Sequence, residues 1–299
     1  MQRYTTLISA AELSQALAVP APEASSAVTV RLIDCRSSLT DPEHGPRVFL
    51  EGHLPGAVYG SIDADFAGPP GPGGRHPLPH PDALAARFQA WGVNDVDQVV
   101  VYDDAGGAFA ARAWWCTRWL GHPRVAVLDG GMGAWQGMLE SSAAGPPPPG
   151  NFSVRRSLTR TVNANKLLSS GLTLVDARTR ARFEGDEEPI DPVAGHIPGA
   201  RCMPFQDNLI DTGALGDGVG ASGAERGGVG RNGRFKTPAE LRRRFRDLPA
   251  NVVCYCGSGV TATHNILAMR VAGLAEPILY PGSWSEWLQD PERPIARRS

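Results

Sequence analysis

Apolar residues follow two different patterns along the chain, and the two patterns alternate. Short runs rich in β-branched and aromatic residues, such as Gln98–Tyr102 and Asn251–Tyr255, are typical of buried strands. Stretches with apolar residues three or four positions apart, such as Ala10–Leu17 and Pro81–Trp91, predict helices. This alternation favours an α/β fold, in which a mainly parallel sheet is flanked by helices. Ligands of such folds bind beyond the carboxyl ends of the strands.

The same series of motifs occurs twice. Leu32–Arg36 (LIDCR) and Gly52–Ala57 (GHLPGA) return as Leu174–Arg178 (LVDAR) and Gly195–Ala200 (GHIPGA). Asp34 and Asp176 are 142 positions apart, and the two GHxPGA motifs are 143 positions apart. Such a regular spacing predicts a duplicated domain.

A proline-rich stretch, SSAAGPPPPG at 141–150, separates the two copies, and its stiff backbone cannot join a sheet. We therefore expect a first domain at 1–145, a linker at 146–154 and a second domain at 155–299. The second half also contains a glycine-rich segment, Thr212–Gly233, without a hydrophobic period. It predicts a surface loop, either a cover for the active site or a plain connector.

The strongest chemical signal is the sequence Cys256–Thr261 (CGSGVT), which joins the last long strand to a helical pattern ending at Gly273. Its two glycines allow a tight turn in which successive backbone N–H groups converge. The following helix would direct its positive end at the same place. This setting favours the thiolate form of a cysteine, so Cys256 is a candidate nucleophile. The alternative is a buried structural cysteine in a turn.

Comparison of the two halves separates architecture from chemistry. Asp103 stands in the first half where Cys256 stands in the second, and a different loop follows it, so we expect the first half to be catalytically silent. Features that occur in both halves are expected to be structural. These are the pairs Asp34/Arg36 and Asp176/Arg178 and the histidines His53 and His196.

Composition narrows the possible functions. A hydrophobic content of 42% excludes a wholly disordered chain, and a net charge of −2 argues against general binding to nucleic acid or to an anionic membrane. We expect no signal peptide and no transmembrane helix. Five cysteines without framework spacing suggest free thiols in a reducing compartment, the cytoplasm. Cys254, Cys256 and His264 lack a further ligand cluster, so we expect no metal site.

The residues Cys256–Ala262 (CGSGVTA) resemble the active-site loop of the rhodanese superfamily in its mercaptopyruvate-type form. Thiosulfate-type members typically carry charged residues where this chain has Gly257 and Ser258. The resemblance spans both halves and implies two rhodanese-like domains. It also implies transfer of sulfur from a small donor to an acceptor thiol, such as thioredoxin, or to cyanide, through a persulfide on Cys256. It implies no cofactor.

The resemblance further implies a set of binding residues. The backbone amides of the loop, including Gly257, Gly259, Val260 and Thr261, would hold the charge of the persulfide. Mercaptopyruvate-type members use two arginines to hold the carboxylate and carbonyl groups of the substrate. Arg182 matches the first of them, and the first half has Thr40 at the corresponding place.

The second arginine of the family departs from the pattern. It normally follows a Glu-Pro pair, whereas here Glu188-Pro189 is followed by Ile190. Arg75 is a candidate to take its place. Without this arginine, thiosulfate would be the alternative donor.

The family also carries a proposed serine–histidine–aspartate relay. Asp63-Ala-Asp65 and His76-Pro-Leu-Pro79 match its pattern in the first half, with Asp65 and His76 as members and Ser258 as the hydroxyl. The alternative for His76 is an ordinary turn histidine.

Two further functions are alternatives to sulfur transfer by an enzyme. Cysteine phosphatases of this fold need a Cys-x5-Arg loop, and position 262 here is alanine, which argues against them. A sulfur-carrying or regulatory binding module remains the non-enzymatic alternative, and the intact Cys256 loop argues against an inert one.

Overall fold

The computed structural model describes residues 3–18, 28–38, 40–141, 145, 147–169, 171–211 and 231–298. Within them the two halves of the chain form two separate main sheets, and both sheets are parallel. No helix in these ranges is both long and apolar enough to cross a membrane.

The first half builds a sheet of five described strands in the order β1-β5-β4-β2-β3. These strands are β1 (Leu7–Ile8), β2 (Val30–Asp34), β3 (Val58–Tyr59), β4 (Gln98–Tyr102) and β5 (Val125–Leu128). The helices of this half are α1 (Ala10–Leu17), α2 (His44–Glu51), α3 (Pro81–Ala90), α4 (Ala110–Trp119) and α5 (Gly131–Ala134).

The second half repeats this arrangement with four described strands in the order β11-β10-β6-β7. These are β6 (Thr173–Asp176), β7 (Arg201–Cys202), β10 (Val252–Tyr255) and β11 (Ile278–Leu279); β8 (Leu209–Asp211) and β9 (Arg231–Phe235) form a separate antiparallel pair. The helices are α6 (Ala164–Ser169), α7 (Arg180–Glu184), α8 (Pro238–Phe245), α9 (Ala262–Val271) and α10 (Ser283–Trp287), with a 3₁₀ turn at Phe205–Asn208.

Helix starts follow from local side-chain chemistry. Ser9 accepts a hydrogen bond from the N–H of Glu12, whose carboxylate receives the N–H of Ser9 in return. Thr237 and Glu240 form the same reciprocal pair at the start of α8, where Pro238 occupies the first turn. Each cap satisfies N–H groups that a helix start leaves without partners, and such a cap contributes about 0.5–2 kcal/mol.

The Asp-x-Arg motifs have the same structural role in both halves. The Nη2 atom of Arg36 lies 2.6 Å from an Asp34 carboxylate oxygen and donates to the carbonyl of Gly52 at 2.6 Å. Arg178 repeats this arrangement with Asp176 and with the carbonyl of Gly195, both at 2.7 Å. Each buried ion pair therefore ties the end of a strand to the GHxPGA turn, which confirms the structural interpretation.

The two histidines of the GHxPGA turns are also structural. His53 Nδ1 lies 2.7 Å from the carbonyl of Phe49, and His196 Nδ1 lies 2.7 Å from the carbonyl of Phe183. Each imidazole also stacks on the ring of the same phenylalanine. These contacts use the imidazoles to fasten a turn to a helix.

One hydrophobic cluster of the described residues, called the shared core below, contains residues of both halves, and two smaller clusters each belong to one half. Alternate residues of a strand face opposite sides of the sheet, so Val99 and Val101 of β4 face this shared core. Val252 and Cys254 of β10 face it from the second half. Helix α4 packs against α9 between the two sheets. The shared core therefore fixes the position of the carboxyl end of one sheet relative to that of the other.

A buried histidine adds a polar link across this interface. His264 Nε2 donates to the carbonyl of Gly106 in the first half at 3.0 Å, while Nδ1 accepts from Asn208 at 3.1 Å. Burial lowers the pKa of His264 to about 4, so the ring is neutral at physiological pH. Both ring nitrogens are engaged, which leaves neither available to a metal ion.

The structure adds detail to two predicted segments. The chain just after the proline run packs on the first half, because Phe152 is buried and stacks on Phe88 with ring centroids 4.6 Å apart. Burial of a phenylalanine contributes about 1.5–3 kcal/mol, which fixes this segment in place. The glycine-rich loop was predicted to extend to Gly233, but Arg231–Phe235 is strand β9. Residues 212–230 lie outside the described residues.

Candidate active site

Cys256 lies at the carboxyl end of β10, one of the two inner strands of the second sheet, and is only 1% exposed. The chain turns at Gly259, which has a φ of +82°, and enters α9 at Ala262. The N–H of Gly259 donates to the sulfur of Cys256 at 3.1 Å. The turn therefore places a hydrogen-bond donor on the sulfur, as expected for a site that holds a thiolate or persulfide.

The side chains of other loop residues serve the turn and not the sulfur. Val260 is 2% exposed and its side chain belongs to the shared core. Thr261 occupies the cap position of α9 without a capping hydrogen bond from its side chain. A Cβ atom at Gly259 would collide with the carbonyl oxygen of Pro281, so the position requires glycine.

Ser283 holds the backbone of the cysteine from the other side. Its hydroxyl accepts the N–H of Cys256 at 3.1 Å and donates to the carbonyl of Tyr280 at 2.9 Å. Ser283 has a φ of +53°, a conformation that costs a non-glycine residue about 1 kcal/mol or more. The matching residue of the first half is Gly131, because Met132 and Trp284 make the same N–H contact one position later.

The other thiols of the chain differ from Cys256 in their surroundings. Burial raises the pKa of Cys35, Cys116 and Cys254, and it raises that of Cys202 to about 11. These four thiols are therefore protonated at neutral pH. None of them has a backbone N–H donor on its sulfur among the hydrogen bonds of the described residues.

The corresponding loop of the first half holds a carboxylate in place of a sulfur. Both oxygens of Asp103 are fully buried and receive two backbone N–H groups each, from Ala105 and Gly107 and from Phe109 and Ala110, at 2.8–2.9 Å. Burial raises the pKa of Asp103, and the four N–H donors oppose that shift. This loop is closed around its own side chain and has no nucleophile.

A serine, a histidine and an aspartate meet across the domain interface. His76 Nδ1 lies 2.7 Å from the hydroxyl oxygen of Ser258, and His76 Nε2 lies 2.8 Å from a carboxylate oxygen of Asp63. The carboxylate fixes the imidazole tautomer, so that Nε2 carries a proton and Nδ1 faces the serine. The structure therefore brings the predicted His76 and Ser258 together, 182 positions apart in sequence.

Asp65, the aspartate expected in this group, is not the partner of His76, and that part of the prediction is wrong. Asp65 accepts the N–H of Ser61 at 2.8 Å and pairs with Arg87 at 2.7 Å. These contacts close the turn that carries it, while Asp63, two residues earlier, points to His76. The two carboxylates are near neighbours in sequence, and only the turn geometry distinguishes them.

Two guanidinium groups lie directly against the cysteine loop. A Cβ atom built on Gly257 would be 3.0 Å from Nη2 of Arg75 and 3.4 Å from Nη2 of Arg182. Arg182 is 2% exposed on α7, and Arg75 reaches the loop from the first half. Arg75, the candidate for the second arginine, thus reaches the loop from a different part of the chain. The two guanidinium groups form a wall beside Cys256, called the guanidinium wall below.

Two carboxylates orient these arginines. Arg182 Nη2 lies 2.7 Å from Glu188 and 3.3 Å from Asp191, and Arg75 Nη1 also contacts Asp191. Glu188 additionally accepts the N–H of Ile190, so the residue that replaces the family arginine helps to shape the acidic turn. Asp191 and Ser283 were not predicted from the sequence. The nearby Glu188-Pro189 pair could have pointed to Asp191, and the replacement of the first half's Gly131 by a serine could have pointed to Ser283.

Comparisons with known proteins agree with this geometry. Residues 10–138 and 160–290 each match the Rhodanese-like domain family. A relative from Pseudomonas aeruginosa, named as a probable 3-mercaptopyruvate sulfurtransferase, is 45% identical over 279 residues, which cover 89% of this chain and 91% of the relative. A relative from Mycobacterium tuberculosis, named as the putative thiosulfate sulfurtransferase SseB, is 38% identical and covers 99% of this chain and 98% of its own length.

A solved structure supports the same assignment. The crystal structure of SseA from Escherichia coli, described as a 3-mercaptopyruvate sulfotransferase with the rhodanese fold, superposes with a TM-score of 0.74 at 29% identity. It covers 94% of this chain and 100% of its own. The chain therefore belongs to the rhodanese-like family and contains the domain twice, which confirms the predicted fold class. It is a sulfurtransferase.

Proposed function

We propose that this sulfurtransferase takes the thiol sulfur of 3-mercaptopyruvate and carries it as the outer, sulfane sulfur of a persulfide on Cys256. The observation that supports this donor is the pair of guanidinium groups, Arg75 and Arg182, against Gly257 beside the nucleophile. A planar guanidinium holds a carboxylate by two parallel hydrogen bonds, and a second one can polarise the neighbouring carbonyl. The names of the relatives from Pseudomonas aeruginosa and Escherichia coli agree with this choice.

The first half-reaction transfers the sulfur to the enzyme. The Cys256 thiolate attacks the sulfur of mercaptopyruvate, a new S–S bond forms, and the C–S bond breaks. The electron pair of the broken bond remains on the product as an enolate, which takes up one proton at carbon to become pyruvate. The outer sulfur of the persulfide first carries the proton of the donor thiol. Once that proton has passed to solvent, the Gly259 N–H, already 3.1 Å from Sγ, and the other loop amides would stabilise the persulfide anion.

The second half-reaction releases the sulfur. An acceptor thiolate, for example that of a thioredoxin, attacks the outer sulfur of the persulfide and restores the Cys256 thiolate. Cyanide would leave as thiocyanate by the same step. We place this chemistry in the cytoplasm, because all five cysteines carry free thiols and such a cycle needs reduced acceptors.

The Ser258–His76–Asp63 group supplies the proton that the enolate needs. A protonated His76 donates from Nδ1 to the Ser258 oxygen, 2.7 Å away, as the serine hydroxyl passes its own proton to the product. Asp63 stabilises the imidazolium through Nε2. Thiosulfate needs no such step, because sulfite leaves with the electron pair and takes up no proton at carbon.

This assignment predicts a donor-dependent effect of Asp63. We expect Asp63→Asn to lower kcat with mercaptopyruvate roughly tenfold, since acid–base groups as a whole contribute about 10²–10⁴-fold and Asp63 only supports one. Its kcat with thiosulfate should stay within about twofold. The matched control is Asp65→Asn, which loses its pairing with Arg87 and should lower thermal stability but not kcat. An equal loss of kcat with both donors would remove Asp63 from the relay.

Thiosulfate is the alternative donor, favoured by the name of the relative from Mycobacterium tuberculosis. The deciding experiment measures kcat/KM for both donors with the same acceptor, together with the mass of the peptide that contains Cys256. We expect one added sulfur on that peptide and a clear preference for mercaptopyruvate. A strong preference for thiosulfate would overturn the donor and leave the persulfide intact. A single loading without turnover would instead support the sulfur-carrying module.

A further inference from the structure

Arg112 is a buried cation that joins the two halves of the active site. It lies on α4 in the first half, within a mostly apolar helix, and is 0% exposed. Burying a guanidinium is costly unless its N–H groups are satisfied. In the described part of the chain, Arg112 makes no ion pair with a carboxylate, and its hydrogen bonds all go to backbone carbonyl oxygens.

The first target of Arg112 is the cysteine loop. Its Nη1 atom donates to the carbonyl oxygen of Gly259 at 3.0 Å. In a planar trans peptide the carbonyl and the following N–H point in opposite directions, so this contact fixes the direction of the Val260 N–H as well. Gly259 is also the residue whose own N–H reaches the Cys256 sulfur. Arg112 thus holds the turn through the carbonyl of Gly259, whereas the N–H of the same residue faces the Cys256 sulfur.

The second target is the segment that carries His76. The Nη2 atom of Arg112 donates to the carbonyl of His76 at 3.1 Å and to that of Pro77 at 3.3 Å, while Nε reaches the carbonyl of Phe66 at 3.2 Å. One rigid guanidinium therefore contacts the backbone of His76 and of Gly259, the residue after Ser258, and so bridges the two partners of the His76–Ser258 pair. Those partners belong to different halves of the chain.

We infer that Arg112 is a positioning residue that sets the separation between the His76 segment and the Cys256 loop. The planar fork of an arginine is needed because three N–H directions are used at once, and lysine offers only a single ammonium group. This inference rests on the proposed function. It adds a requirement beyond the chemistry of the loop itself, since the hydrogen bonds of Arg112 in the described residues go to backbone carbonyls and not to the Cys256 sulfur.

The test replaces Arg112 by lysine and measures steady-state kinetics with mercaptopyruvate. We expect kcat to fall about 10- to 100-fold with KM within about threefold, because a misplacement of about 1 Å can cost 10²-fold in rate. The matched control is Arg118→Lys on the same helix. Arg118 is also buried and also crosses the interface, to Glu276 at 2.7 Å, but it does not contact the loop. Its replacement should lower stability and leave kcat within about twofold.

A double-mutant cycle separates positioning from general loosening of the interface. In a His76→Gln background, Arg112→Lys should lower kcat by less than about threefold, because its main partner in catalysis is already absent. Arg112→Gln, which keeps an amide donor, provides a second variant should the lysine variant fold poorly, and near-ultraviolet circular dichroism checks the fold of each.

Three results would overturn the inference: unchanged kcat in Arg112→Lys, an equal loss in Arg118→Lys, or the full loss in the His76→Gln background. Failure of the proposed function would look different, because the unmodified protein would then transfer no sulfur from mercaptopyruvate.

Discussion

Replacing Cys256 with serine is expected to abolish sulfur transfer from both donors. The serine hydroxyl is not ionised at neutral pH and cannot form a stable persulfide equivalent, so the covalent intermediate is lost altogether. We expect kcat/KM to fall by a factor of about 10⁴ or more, as for other nucleophile replacements. The exchange alters one buried atom, so the thermal unfolding temperature should change little.

The control for this prediction is Cys202→Ser. Cys202 is half-buried on β7, and burial raises the pKa of its thiol to about 11, so it should contribute nothing to transfer. Mass spectrometry after exposure to donor should find one added sulfur on the Cys256 peptide in this variant and in the unmodified protein. Continued turnover by the Cys256→Ser protein would show that the nucleophile lies elsewhere.

Replacing either arginine of the guanidinium wall, Arg75 or Arg182, should selectively lower kcat/KM for mercaptopyruvate. Arg182→Lys and Arg75→Lys retain the positive charge but lose the two-pronged contact with a carboxylate. A hydrogen bond to a charged group contributes about 1.5–3 kcal/mol, so kcat/KM for mercaptopyruvate should fall about 10- to 100-fold in each variant. The effect on thiosulfate, which has no carboxylate or ketone, should stay within about threefold.

Arg180→Lys is the matched control for the wall. Arg180 lies on the same short helix as Arg182, but its side chain is 64% exposed and pairs with Glu184 at the surface. It should behave as the unmodified protein does. The double replacement of Arg75 and Arg182 should cost less than the product of the single effects, because both contact Asp191. If both donors lost the same activity, the wall would be a general anion attractor and the donor assignment would fail.

Most of the fold could be predicted because local patterns and the global structure agree. The predicted runs Ala10–Leu17 and Gln98–Tyr102 match α1 and β4 to the residue. The repeat predicted the duplicated sheet, since its buried ion pairs leave the same sequence mark in each half. The helical pattern after Cys256 starts at Val260, whereas helix α9 begins two residues later, at Ala262, because Val260 belongs to the turn that closes on the sulfur.

The active site was harder to predict, because much of it is assembled by packing between the halves. Arg75 and Arg182 are 107 positions apart and share no local motif, yet both reach Gly257 once the domains dock. The choice between Asp63 and Asp65 depends on which carboxylate closes a turn, and composition carries no information about that. In the sequence Arg112 is one charged residue within a mostly apolar helix. Its partners are backbone carbonyl groups, which every residue has, so no residue type indicates them.

The Asp103 loop gives the duplication a further meaning. Its four converging N–H groups are permanently hydrogen-bonded, because the Asp103 carboxyl group that accepts them belongs to the same chain and cannot leave. The Cys256 loop, in contrast, gains and gives up the outer sulfur of its persulfide in every cycle of the proposed reaction. The first half therefore uses this turn as a rigid support, whereas the second half uses the same turn for catalysis. The buried helices α4 and α9 pack against each other and connect the two halves, so the first half keeps the Cys256 loop rigid while the sulfur bound there is exchanged.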